Sequence, residues 1–308
     1  MRKALLRTLL FLLPLVVGFV ALEVRLAHVP NIYTKKKKDL DARADSVQVL
    51  ILGASHAFFD VNPDYLSRPA FNLASTYQSA FYDVRLTEMY LNKLTRLKLV
   101  ILSADFTTFF LQLHQTKEEW RDYYYYQFWH IRYPGLPLLD ARKWSKVALY
   151  TPEKVLKDIG SGFQLDLTYT QQSNGWAPYR TEQPYVVNDS SGRQLIARSM
   201  PNYSDKNFRD IAGYYDELLH RLHERNIQVA FVTFPADKSY YNNLPQNIVA
   251  REDSLVQTFC QTYGCSYYNY LRDARFTTSD FADNDHIFPE AATRFSKILD
   301  SDVVRQLK

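Results

Sequence analysis

The chain has 308 residues, of which 46% are hydrophobic and 23% charged, so it is long enough for one large α/β domain or two small ones and is not wholesale disordered. A formal charge of +4 is slight for this length and leaves no nucleic-acid footprint. The 23 Tyr and 19 Phe suit either an aromatic core or a surface for flat, amphipathic partners such as sugars.

Met1-Arg2-Lys3 and Arg7 precede Thr8–Leu22, a run free of charge. Residues 4–22 are long enough to span a bilayer. The basic flank predicts a cytoplasmic N-terminus, which places the rest outside the cytoplasm and makes the chain a single-pass protein of the inner (cytoplasmic) membrane with a periplasmic domain. A cleaved signal peptide is the rival reading; no small-x-small site precedes Glu23, which favours an uncleaved anchor. Residues 23–46 read as a basic stalk, with Lys35–Lys38 as a solvated charge run.

From Val47 the pattern becomes that of an α/β domain over 47–308. Val49–Leu52 is four aliphatics in a row, as in a strand buried on both faces. Ala70–Ala74 is a short strand or turn, Tyr82–Leu97 a helix and Leu99–Leu102 the next strand. Residues 106–204 break the alternation as a long insertion rich in Trp and Tyr, including Tyr123–Tyr126. A structureless loop of that length is improbable, so it must hold its own helices and packed aromatics. Alternation resumes with a helix from Phe208 to Asn226 and a strand Gln228–Phe234 stopped by Pro235. A helix Ser254–Tyr263, a strand Cys265–Tyr270 and a closing helix Pro289–Leu299 follow. Strands separated by helices predict a doubly wound, mostly parallel sheet, whose strand ends share one edge.

That topology lets two distant segments meet. Gly53-Ala54-Ser55-His56 ends the first strand in a turn that Gly53 can bend, at the strand end where such sheets place their sites. Asp283-Asn284-Asp285-His286 follows the last strand. A serine hydroxyl needs a base, His286, and the base needs an orienting carboxylate, Asp283. Asp285 is the rival for that last role, but adjacent side chains usually diverge. An oxyanion would take the Ser55 backbone N–H, with Asn72 and Gln78 as further candidate donors. Asp283, Asp285 and His286 as metal ligands lack partners at a defined spacing, so no metal and no cofactor are expected. Cys260 and Cys265 form a small disulfide or remain two thiols.

These residues resemble the SGNH (GDSL-like) hydrolase superfamily: Gly53-Ala54-Ser55-His56, Asn72, and Asp283-x-x-His286 before a C-terminal helix, over roughly Val47–Leu299 with the insertion outside. The branch most similar is the membrane-anchored, extracytoplasmic group that includes DltD and the alginate acetylation proteins. The resemblance implies a flavodoxin-like fold and acyl transfer on a cell-envelope polysaccharide, by an O-acyltransferase or esterase. Its partners would be an acylated glycan or acyl donor and a membrane-bound O-acyltransferase. Ser55 matches the nucleophile, Asp283 the acid and His286 the base. The chain departs from the family after the third strand, where Ser103-Ala104-Asp105 replaces a Gly-x-Asn block; an ionised Asp105 cannot donate to an oxyanion. His56 lines the pocket or caps the turn. The degenerate block leaves a second reading open, a non-catalytic glycan-binding or assembly protein on the same scaffold.

Overall fold

The computed structural model describes residues 1–161, 171–181 and 185–307. Helices α1 (Arg2–Ala27) and α2 (Ile32–Asp41) precede β1 (Val49–Leu52), α3 (Ser55–Asp60), β2 (Ala70–Asn72), α4 (Ala80–Tyr90) and β3 (Leu99–Ser103). The middle holds α5 (Trp120–Tyr124), α6 (Lys146–Leu149), α7 (Pro152–Ser161) and α8 (Asp189–Ser199). Then come α9 (Asp205–Glu224), β4 (Gln228–Thr233), α10 (Lys238–Tyr241), α11 (Gln246–Tyr263), β5 (Ser266–Asn269) and α12 (Pro289–Asp302). Two compact units result: Met1–Lys35 with Trp120–Thr168, and Lys36–Glu119 with Tyr169–Lys308. The single insertion expected over 106–204 is thus divided between them.

In the second unit the strands form a parallel sheet in the order β2-β1-β3-β4-β5. β1 and β3 are buried at every position, as a sheet covered on both faces requires. The chain leaves β1 for β2 on one side and returns to β3 on the other. The crevice at the carboxyl ends of β1 and β3 is therefore the topological switch point, where doubly wound sheets place ligands. Ser55 follows β1 and Asp105 follows β3.

The helices follow their apolar spacing. In α9 Phe208, Ile211, Tyr215, Leu218, Leu219 and Leu222 are buried on one face, and the Ser204 hydroxyl caps its start by accepting the Asn207 N–H. α11 begins at Gln246, upstream of the expected Ser254, and ends on Gly264 in the left-handed region. α4 stops at Tyr90 where a helix to Leu97 was expected. Leu91, Leu94 and Leu97 remain buried, but in successive turns rather than helix. On α12 the Ser296 hydroxyl accepts the Asn62 N–H at 2.8 Å and Asp300 accepts the Ser67 N–H at 2.7 Å, fixing that helix to the segment after α3. Just upstream, Phe281 and Ile287 pair antiparallel, closing residues 282–286 into a tight loop.

The stalk reading fails from Lys36 onward. Lys36 is buried, its ammonium bonded to the Ala74 carbonyl and 4.3 Å from the Phe58 ring centre. Lys37 pairs with Asp41 one helical turn on, and Asp41 also accepts the Tyr90 hydroxyl. The run has a partner for its charge in a carbonyl and an aromatic face, which sequence spacing does not reveal.

In the first unit α1 is long and apolar enough to cross a membrane. The tyrosine run is core: Tyr123, Tyr124 and Tyr125 are buried, and Tyr33 lies 5.2 and 5.1 Å from the Tyr124 and Tyr125 rings. Cys260 and Cys265, in the second unit, are unbonded thiols.

Candidate active site

The turn after β1 is built around a close approach. Gly53 has φ +125°, and a Cβ there would lie 2.1 Å from the Ser103 hydroxyl on β3. Its N–H donates to Asp83 Oδ1 at 3.1 Å, and the same oxygen accepts the Gln78 amide at 2.7 Å. Tyr215 donates to the other Asp83 oxygen at 3.2 Å. Burial is the main cause pushing the Asp83 carboxyl up, to about 7, against these three donors. Ser55 is then the first residue of α3, half-buried, and His56 follows it into the interior.

Around His56 the structure gathers titratable groups that the sequence scatters. Its Nδ1 lies 3.3 Å from Asp105 Oδ2 and its Nε2 3.2 Å from Asp285 Oδ2. The first is an ion-pair contact outside the geometry of an aligned hydrogen bond. Burial alone would lower the His56 pKa, but the two carboxylates override it and hold it at about 10, so the ring is an imidazolium at neutral pH. The His56 and His286 rings stack with centres 4.8 Å apart and 18° between planes. The Ser55–His56 turn and the Asp283–His286 loop therefore lie against each other.

His286 is held by its own loop. Its backbone N–H donates to Asp283 Oδ1 at 2.7 Å, and its Nδ1 is 3.0 Å from Asp283 Oδ2. The Asp285 N–H and the Tyr179 hydroxyl complete the donors to Asp283, at 3.0 and 2.7 Å. Tyr179 also packs over the imidazole, centres 4.7 Å apart. Asp285 Oδ1 stands 3.3 Å from His286 Nδ1, so Asp285 reaches both histidines, whereas Asp283 makes the hydrogen bonds to His286. Against the lowering effect of burial, Asp283 and Asp285 raise the His286 pKa well above its usual value. Asp285 itself, despite burial, is held well below the usual carboxylate range by His286 and His56. His286 Nε2 is buried and has no hydrogen-bond partner among the described residues; no bond joins it to Ser55.

The candidate oxyanion donors are otherwise engaged. Asn72 Nδ2 donates to the carbonyls of Ala57 and Val61 at 2.7 and 2.8 Å, which uses both of its N–H groups, and its Oδ1 accepts the Ala74 N–H. Asn72 thus holds the backbone of α3. Gln78 braces Asp83. Asp105 accepts the Phe234 N–H at 3.0 Å and faces His56, a hydrogen-bond acceptor as its chemistry requires.

Sequence reasoning left Asp60, Tyr179 and the bridging role of Asp285 unassigned. Asp60 is fully buried, and burial is the main cause that lifts its carboxyl far above the usual range, against the opposing pull of His286 and His56. Its place at the end of α3, one helix from Ser55, was the available signal. Tyr179 lies within the long insertion and had none. His56, Asp285 and His286 offer ligand atoms within 4.8 Å of one another.

No family model and no curated protein matches the chain. Among solved structures it is similar to a protein from Bacteroides fragilis described as a candidate acylhydrolase. That match has 11% identity and a TM-score of 0.40, covering 93% of this chain and 95% of that one. A GDSL-like lipase from Bacteroides thetaiotaomicron is similar at 7% identity and a TM-score of 0.41, over 90% of this chain and 100% of that one.

Proposed function

We propose that the second unit carries out serine-dependent ester chemistry, with Ser55 as nucleophile, His286 as base and Asp283 as the carboxylate that orients it. The observation that supports this is the held imidazole. Asp283 fixes Nδ1, and Nε2 faces no partner in the loop lying against the Ser55 turn. In the reaction Ser55 Oγ attacks the ester carbonyl while its proton passes to His286 Nε2. The tetrahedral oxyanion takes the Ser55 backbone N–H at the start of α3. Collapse breaks the ester C–O bond, and the alcohol leaves with the proton from His286. The acyl group then passes from Ser55 to water or to a sugar hydroxyl, which regenerates the serine. The substrate class is an acylated polysaccharide of the cell envelope, as in the membrane-anchored SGNH branch, with a membrane-bound O-acyltransferase as acyl-supplying partner. α1 serves as a single-pass anchor in the inner membrane, with the remainder periplasmic.

One observation favours a second reading, a non-catalytic glycan-binding or assembly protein on the same scaffold. Asn72 is spent on backbone carbonyls and Gln78 on Asp83, so of the proposed donors the Ser55 backbone N–H carries the oxyanion. Turnover separates the two readings. The full chain in detergent should hydrolyse a chromogenic acetyl ester, and Ser55→Ala should abolish the activity. Turnover unaffected by Ser55→Ala would remove the serine mechanism, and an absence of turnover on both simple and polymeric esters would favour the binding protein.

A further inference from the structure

The uncharged run of α1 ends at Leu22, and Glu23 is the first charge after it. Glu23 does not stand alone. Its carboxylate accepts the Ser145 hydroxyl, the Lys146 N–H at 2.6 Å and the Val147 N–H at 3.2 Å, so it caps the start of α6. Ser145 is thereby fixed at the level where the apolar run stops. Immediately before it Trp144 is 71% exposed, and Leu138 and Leu139 are 66% and 96% exposed. Cations accompany the rings: Lys143 lies 5.3 Å from the Tyr126 ring centre and 5.6 Å from that of Trp144, and Lys146 lies 4.2 Å over Phe128. On α7, Leu156 and Ile159 sit three residues apart, share a face and are exposed, while Val155 is buried.

Single exposed apolar residues need no explanation, but these follow one another along one segment whose depth is set by the end of an apolar helix. Trp at the polar boundary, flanked by Lys and by bare leucines, is the composition of a bilayer interface. We infer that residues 138–144, with the outer face of α7, form a collar that rests in the headgroup region of the bilayer from which α1 emerges. This rests on the reading of α1 as a membrane anchor. The ligand is the lipid surface. A glycan would use the Trp144 ring but would have no use for Leu138 and Leu139, and the buried tyrosines of the same unit are unavailable to it.

The test uses the full chain with Cys260→Ser and Cys265→Ser in vesicles of zwitterionic and anionic phospholipid. A fluorophore is attached in turn at Leu139→Cys, Val16→Cys and Arg193→Cys. Residue 16 should be quenched by lipids labelled near the chain terminus, and residue 139 by lipids labelled near the headgroup. Iodide in the water should quench residue 139 severalfold less than residue 193 on α8. If residue 16 is lipid-quenched while iodide reaches residue 139 as readily as 193, the anchor stands and the collar is wrong. A residue 139 shielded from iodide but untouched by either lipid quencher would mean protein or polymer covers it, and also overturns the collar. If iodide reaches residue 16, the anchor fails and the inference falls with it.

Discussion

His56 shows how much one side chain can hold in place. It lies between Asp105 and Asp285 with a charge that burial opposes and the two carboxylates sustain. Replacing it by Gln leaves the buried Asp105 without its cation, while Asp285 keeps His286, and should cost about 3–5 kcal/mol. The sign of the pH dependence follows from its raised pKa. Folded His56 keeps a proton that the unfolded chain sheds near 6.5, so its contribution is complete below 6.5 and is lost as pH rises toward about 10. Chemical denaturation of the wild type should therefore show stability falling across that window, and His56→Gln should flatten the slope. His286 sets the acid limb of activity. It must be neutral to accept the Ser55 proton, and Asp283 and Asp285 hold its pKa up, so ester turnover should rise with pH through an inflection above the ordinary histidine value. Asp283→Asn should move that inflection to lower pH and cut kcat by roughly 10²–10⁴-fold, because the oriented base is lost. A pH–rate profile of the two proteins measures both effects.

At the scale of elements, the site depends on the turn between β1 and α3. Gly53→Ala forces a Cβ into the Ser103 hydroxyl at a positive φ, and should lower stability by about 1–3 kcal/mol or more, read from the denaturation midpoint. Asp83 braces the same turn from α4. Its raised pKa means that folding retains a proton from the ordinary Asp range up to about 7, so this carboxyl makes the protein less stable as pH rises through that interval. Asp83→Asn keeps the acceptor for Gly53 and Gln78 and should remove that part of the slope, leaving stability at pH 8 equal to or above wild type. β1 and β3 were legible because four aliphatics in succession between turn signals suit a two-faced parallel sheet. The end of α4 was not, because Leu91, Leu94 and Leu97 keep a helical spacing while their backbone turns. Lys36 was illegible for a related reason: its partners are a carbonyl and a ring on segments far along the chain.

Across the whole molecule, the strand order is what turns two local motifs into one site. β1 and β3 flank the switch point, and α12, tied to the segment after α3, carries the Asp283–His286 loop to the same edge. The pairing of Asp283 with His286 could be read from a three-residue spacing. The stacking of His56 on His286, and the reach of Asp285 to both rings, depend on tertiary placement and have no one-dimensional signature. The division of residues 106–204 between two units was equally hidden, since aromatic content does not tell which core a residue joins. The most direct measurement is the site of covalent capture by a fluorophosphonate, found by peptide mass analysis of the full chain. Ser55 should carry the adduct in the wild type and lose it in His286→Ala, whose fold is checked by circular dichroism. Adduct formation elsewhere, or equal labelling of Ser55 without His286, would contradict it.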